Sequence, residues 1–136
     1  MAESRPTVSV IYSELVNAIK GIGKPVFLSR PKITDNENRD FVVIELPTEL
    51  RQTIKGGMGV SEICYGTFSA FVKSKSDSTM NVNAQSALTQ DLLDVFPIND
   101  AHVSAANPTV LVQGDDGYGY HVTVITFKLR AKYKSQ

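Results

Sequence analysis

The chain has 136 residues, of which 42% are hydrophobic and 21% are charged, values typical of one folded domain without disordered stretches. Its 14 Lys and Arg residues balance 14 Asp and Glu residues, so only a local basic surface could contact nucleic acid. Cys64 is the only cysteine, which rules out an intramolecular disulfide and favours a small core residue in a reducing compartment.

No sequence signal points to a membrane or to export. The first residues lack the apolar core of a signal peptide, and no apolar run approaches the ~18 residues of a membrane span. We therefore expect a soluble protein that is made in the cytoplasm and has no membrane partner.

An amphipathic helix is predicted first, because apolar residues recur at three- and four-residue steps between Val8 and Ile22. Ser4 or Thr7 could cap its start, while glycines and a proline mark its end. These are Gly21, Gly23 and Pro25.

Two strands are predicted next, over residues 26–30 and 40–46, each closed by a proline. The polar residues 34–39 between them suggest a turn, so we expect the two strands to form a hairpin.

A loop without strand or helix periodicity follows, from Thr48 to Gly59. Its glycines and its lack of periodicity predict a loop that is mobile in the free subunit and becomes ordered in an assembly. The residues of this predicted contact loop are Lys55, Gly56, Gly57, Met58 and Gly59.

Two long strands, over residues 60–75 and 117–133, are predicted to pair antiparallel at the centre of a sheet. In the second of these, Ile125, Phe127 and Leu129 alternate with polar residues, which indicates one buried face.

A second helix is predicted between these strands, with Ala84, Leu88 and Leu92 on one face, capping residues at 76–79 and a stop at Pro97. Residues 102–113 then resume an extended pattern and lead through a glycine-aspartate turn into the final strand. The predicted fold is one α+β domain over residues 1–136, with the order helix, strand, strand, strand, helix, strand, strand. It has a mostly antiparallel sheet of about five strands and two amphipathic helices packed on one face.

Motifs for catalysis, metal binding or cofactor binding are not recognisable. His102 and His121 are too far apart in sequence, with one cysteine, for a structural zinc site. The acidic residues 35–40 lack the glycine and closing glutamate of a calcium loop, and the glycines at 56–59 fit neither nucleotide-binding fingerprint.

Asp115 and Asp116 are explained as turn residues. We predict no enzyme activity and no cofactor; a pairing of His121 with a serine or with Cys64 is the remaining catalytic alternative.

A basic stripe lies on one face of the final strand, where cations recur at every second residue. The stripe consists of Lys128, Arg130, Lys132 and Lys134. Either it is a solvated edge, or it contacts phosphate or an acidic partner subunit. Apolar residues share its face nearer the turn and suggest that this end is covered, for example by another subunit. They are Tyr120, Val122 and Val124.

The order of elements resembles that of the tail-terminator, or tail-completion, proteins that join head and tail in long-tailed bacteriophages. The resemblance covers nearly the whole chain, but no catalytic or ligand motif defines the family. It is carried by the helix that ends at Ile19-Lys20-Gly21-Ile22, the strand from Phe41 to Pro47, the strand from Tyr65 to Val72, the helix from Ala84 to Phe96, and the hairpin that leads into Tyr120-His121-Val122-Thr123-Val124. The glycine loop and the basic C-terminal run depart from that pattern.

The resemblance implies a structural virion protein that forms a hexameric ring, caps the tail tube and joins it to the neck. Its partners would then be copies of itself, the tail tube protein and the neck proteins, with DNA passing through the lumen, in a virion assembled in the host cytoplasm. The alternatives are another neck or baseplate subunit and a small cellular α+β binding module.

Overall fold

A computed structural model describes residues 8–29, 39–46 and 64–131 of the chain. Its helices are α1 (Val8–Ile19), which continues into a short 3-10 helix (Lys20–Ile22), and α2 (Val82–Leu93). Its strands are β1 (Val26–Phe27), β2 (Phe41–Glu45), β3 (Cys64–Lys73), β4 (Ile98–Asn99), β5 (Val103–Asp115) and β6 (Tyr120–Ala131).

The strands form one six-stranded mixed sheet in the order β1-β2-β3-β6-β5-β4. The predicted α+β class is confirmed, but the sheet has one strand more than expected, the short β4. The predicted hairpin between the first two strands is wrong: β1 and β2 are parallel neighbours, with Val26 opposite Val42 and Phe27 opposite Val43. A hairpin turn joins antiparallel strands only, whereas parallel neighbours need a longer crossover connection.

The two central strands are β3 and β6, which pair antiparallel over ten residue pairs from Cys64–Leu129 to Lys73–Tyr120. This pairing was predicted from the strand pattern. Gly66 lies opposite Phe127, and a Cβ atom added at Gly66 would come within 2.9 Å of the Phe127 ring. A larger residue at Gly66 would therefore displace the Phe127 ring.

Both helices pack on the same face of the sheet. α1 contributes Ile11, Leu15 and Ile19 to the helix-side core, and α2 contributes Leu88 and Leu92. The sheet residues of this core come from all strands except β1 and lie on one face of the pleat. They are Val42, Ile44, Phe68, Ala70, Val72, Ile98, Val103, Ala105, Ile125, Phe127 and Leu129. The alternation predicted for Ile125, Phe127 and Leu129 is confirmed by their burial.

A second apolar cluster lies on the opposite face of the sheet, near the β5–β6 turn. The rings of Phe41 and Phe71 stack with centroids 4.7 Å apart, and the Tyr120 ring meets the edge of Phe41 at 5.2 Å. The Tyr120 hydroxyl donates a hydrogen bond to the backbone carbonyl of Arg39 (3.2 Å). This end of the sheet is therefore apolar on both faces.

The ends of the helices follow local backbone chemistry. Gly23 ends the first helical segment in the left-handed conformation, with φ 83°, and its N–H donates to the Lys20 carbonyl. The cap of α2 is not within residues 76–79, as predicted, but is Asn81, whose side chain accepts from the Ala84 N–H (3.2 Å). The capping residues proposed for α1 lie outside the described residues.

The polar residues just before α2 form a turn of their own. The Thr79 hydroxyl and backbone N–H both donate to the Asp77 carboxylate, and these hydrogen bonds hold the pKa of Asp77 below its ordinary value. Asp77 is fully exposed, so this turn positions the chain before α2 without adding a buried charge.

A bulge changes the face assignment along β5. Ala106 is opposite Lys128 and Thr109 is opposite Thr126, so β5 contains one extra residue in this interval. Asn107 adopts φ 56°, and Pro108 follows it. After the bulge Val110 and Val112 lie on the helix side of the sheet and Leu111 on the other, since their partners are Ile125, Thr123 and Val124.

Leu92 tests the helix-side core because its side chain is fully buried. Leu92→Ala should lower the free energy of unfolding by about 2–5 kcal/mol through lost burial and the remaining cavity. Urea unfolding would measure the change, with Asp91→Ala at the exposed neighbouring position as the control. A loss below ~0.5 kcal/mol for Leu92→Ala would show that α2 does not pack on the sheet as described.

Candidate functional site

The described part of the basic stripe consists of Lys128 and Arg130, both exposed on the face of the sheet opposite the helices. Leu129, between them, is completely buried on the helix side. Lys132 and Lys134 lie outside the described residues. The predicted alternation therefore places the two described cations on a solvent-facing surface.

The surroundings of this basic surface are polar and open. Across the neighbouring strands, Lys128 is paired with Tyr65 on β3 and with Ala106 on β5, while Arg130 is paired with Ser104. A shallow groove of ≈ 190 Å³ lies between the strands. It is lined by Ser104, Ala106, Asn107, Lys128, Leu129 and Arg130. Two exposed cations, one of them opposite the exposed Tyr65, form a surface suited to an anionic partner, either phosphate or carboxylate.

The apolar residues predicted to be covered at the other end of β6 are covered by the chain itself. Tyr120 is 0% exposed and Val122 is buried, both against Phe41 and Phe71, while Val124 is partly buried beside them. A contact between subunits at these three residues stays a prediction, but their burial no longer requires one. The predicted contact loop, Lys55 to Gly59, lies outside the described residues.

An exposed apolar edge on β5 was not identified from the sequence. β5 pairs with β6 along its length, but β4 covers its other edge only at Ser104 and Ala105. Within the described residues, the edge beyond Ala106 has no neighbouring strand. Consecutive apolar side chains are exposed there: Val110 (45%), Leu111 (58%) and Val112 (59%).

We call residues 109–113 of β5, with these three apolar side chains, the free edge. No other described strand pairs with its backbone groups on the outer side, and its apolar side chains are exposed on both faces of the sheet. Edges of this kind are usually shortened, charged or covered in natural proteins. The sequence signal for it is three consecutive apolar residues that follow Asn107-Pro108-Thr109, where simple alternation fails.

The groove beside the free edge, between β5 and α2, has a volume of ≈ 260 Å³ and includes Val82, Val110, Val112 and Gln85. The Gln85 amide nitrogen donates to the Ala70 carbonyl (3.3 Å) and to the Thr123 hydroxyl (2.9 Å). Its carbonyl oxygen is buried and has no hydrogen-bond partner among the described residues. Gln85 thus ties α2 to the two central strands and leaves one acceptor unused below the groove.

The catalytic alternative is only half supported by geometry. Ser74 Oγ and His121 Nδ1 are 2.7 Å apart, so a serine and a histidine do meet at the end of β3. The backbone positions of Cys64 and His121 are far apart on the sheet: Cys64 pairs with Leu129, whereas His121 pairs with Val72, eight positions and ~26 Å further along β3. Among the described residues, no carboxylate is hydrogen-bonded to the His121 ring. The pair links the ends of two adjacent strands and lacks the orienting group of a triad.

His102 also has a structural partner. Its backbone N–H and its Nδ1 are each 2.8 Å from a carboxylate oxygen of Glu14, which connects α1 to the turn before β5.

In the described residues, no group of three or more His, Cys, Asp or Glu side chains could hold a metal ion. No helix within those residues is long and apolar enough to cross a membrane.

A scan against models of protein families finds no family that matches this chain, and a search of curated proteins finds no relative.

The basic surface should contribute little to stability because both cations are exposed. Replacing Lys128 and Arg130 together by Gln should change the free energy of unfolding by no more than ~0–1 kcal/mol per residue. Leu129→Ala, at the buried position between them, should cost about 2–5 kcal/mol. Urea unfolding of both variants measures the contrast, and a large loss for the double Gln variant would assign these cations a structural role.

Proposed function

We propose that this chain is a structural subunit of a phage tail that assembles with copies of itself into a hexameric ring, caps the tail tube and joins it to the neck. The resemblance to tail-terminator proteins supplies the ring and its place in the virion. The observation that carries the proposal is the free edge of β5, with Val110, Leu111 and Val112 exposed together.

The free edge supports assembly because it combines backbone groups that can pair with another strand and apolar side chains that are exposed to solvent. Its backbone N–H and C=O groups can extend the sheet, and its apolar side chains gain free energy when another surface covers them, at roughly 25 cal/mol per Å². A subunit of a permanent assembly covers such an edge with its neighbour. An isolated edge of this composition is instead a site of aggregation.

The basic surface fits a second role in the same assembly. Lys128 and Arg130 are exposed on the face opposite the helices, where they could contact passing DNA or an acidic surface of the tube or neck. This contact would be independent of sequence, because exposed lysine and arginine side chains neutralise phosphates without reading bases.

The proposed role is structural and not enzymatic. The same free edge would also suit a small cellular binding module, which would add a strand from another protein and remain monomeric on its own. Another neck or baseplate subunit would share the ring contact but bind different neighbours. The mass of the purified chain separates the module from the ring, and its position in the particle separates the phage roles.

The oligomer is tested with Leu111→Asp, which places a charge on the free edge without touching the core. We expect the wild-type chain to have six times the subunit mass in sedimentation velocity, and the variant to be monomeric, because a buried carboxylate at a strand contact is strongly unfavourable. Thermal unfolding should show that the variant still folds.

Ala87→Asp adds the same charge to an exposed position of α2 and serves as the control. It should retain the wild-type mass. A wild-type chain that stays monomeric at every accessible concentration would contradict the proposed ring. A Leu111→Asp oligomer of wild-type mass would show that the ring does not use the free edge.

A further inference from the structure

A second apolar surface lies at the opposite end of the sheet, between α1 and β1. Leu28, immediately after β1, is 48% exposed. A groove of ≈ 550 Å³ separates it from α1 and is lined by Ser9, Tyr12, Ser13, Val16, Asn17 and Leu28. Among the described residues, β1 has a neighbouring strand only on its β2 side. As far as the described residues extend, the sheet therefore ends in an open edge on this side too.

The two open edges of the sheet, at β5 and at β1, are aligned with each other across the strands. We call a set of residues that are paired from strand to strand across the sheet a row. Pairing across the strands connects Val112 through Thr123, Ala70 and Val42 to Val26. The next row connects Leu111 through Val124, Ser69 and Val43 to Phe27. Each row thus has an apolar residue at both of its ends.

Residues at the two ends of each row also lie on the same face of the sheet. Val26 packs against the helix-side core, and Val112 lies on that same side beside α2. Phe27 belongs to the cluster on the opposite face, as does Val124, the cross-strand partner of Leu111. If the sheet of one copy continued into the sheet of another, helix-side residues would therefore be next to helix-side residues, and residues of the opposite face next to each other.

The strand directions permit this continuation. β1 is parallel to β2, and the following pairs β2–β3, β3–β6 and β6–β5 are all antiparallel, so β1 and β5 run in opposite directions. In copies related by a rotation about an axis along the strands, β5 of one copy is antiparallel to β1 of the next. Antiparallel pairing is the more favourable arrangement for an added strand.

The charges at the ends of these strands are complementary. Lys24 is exposed two residues before β1 begins, and Asp115 is exposed where β5 ends. An antiparallel contact brings the start of β1 to the end of β5, so these opposite charges meet at one rim of the contact. Such rim charges assist orientation and association.

We propose that the subunits join head to tail, with the free edge of β5 in one copy paired antiparallel with β1 of the next copy. Val110 and Val112 then cover Leu28 and the α1–β1 groove, while Leu111 meets Phe27 on the other face. This inference rests on the proposed ring and specifies its contact. Because the two surfaces differ and lie at opposite ends of the sheet, the contact is heterologous. It closes into the proposed hexameric ring when each copy is rotated from the last by one sixth of a turn without translation.

A mixing experiment tests the contact with two charge variants. Leu111→Asp blocks the free edge but retains the α1–β1 surface, and Leu28→Asp blocks the α1–β1 surface but retains the free edge. Each variant alone should be monomeric in sedimentation velocity. An equimolar mixture should form a one-to-one dimer and no ring, because only one intact contact can form between the two variants.

Three other outcomes would be decisive. A Leu28→Asp chain that still forms the wild-type oligomer overturns this contact but leaves the proposed ring in place. A Leu28→Asp chain that forms a symmetric dimer by itself shows that two free edges pair with each other, which also overturns the contact. A monomeric wild-type chain overturns the proposed ring and the contact together. Circular dichroism verifies folding, and Leu28→Lys replaces Leu28→Asp if that variant does not fold.

Discussion

The ten-pair contact between β3 and β6 is the constraint on which the rest of the structure depends. These strands are the only two described ones with long partners on both sides: β2 pairs beside β3, and β5 pairs beside β6. Their register decides which residues face α1 and α2: a shift of β6 by one residue against β3 would replace Ile125 by Val124 opposite Phe68 in the helix-side core. Both apolar clusters are therefore fixed by one antiparallel pair.

The exposed edge follows from the position and shape of β5. β4 is two residues long and covers β5 only near its start, so the longer remainder of β5 forms the border of the sheet in the part of the chain that the structure describes. The bulge at Asn107-Pro108 begins this uncovered part, and proline cannot donate a ladder hydrogen bond. The proposed ring contact begins beyond the proline, where the backbone can again pair. In the proposed account, the central strands β3 and β6 stabilise the subunit, and the uncovered part of β5 makes the contact between subunits.

Strong local patterns predicted the central features correctly. The alternation around Phe127 identified β6 and its buried face, and the helical spacing of Leu88 and Leu92 identified α2. Non-local features could not be predicted: β4 is too short for a pattern, and the polar residues 34–39 resemble a hairpin turn although β1 and β2 are parallel. The sequence pattern does not predict on which face of the sheet Val110 and Val112 lie, because the extra residue of the bulge breaks the period of two. Tyr120 was correctly expected to be covered, yet its cover comes from Phe41 and Phe71, distant in sequence.

The most direct measurement is amide hydrogen exchange across β5, compared between the wild-type oligomer and the monomeric Leu111→Asp chain. A strand paired on both sides retains its amide protons, whereas an open edge exchanges its outward-facing amides rapidly. The proposed contact predicts slower exchange within residues 109–113 and at Phe27–Leu28 in the oligomer, with no change in β3. Equal exchange of residues 109–113 in the oligomer and the monomer would contradict a subunit contact at the free edge.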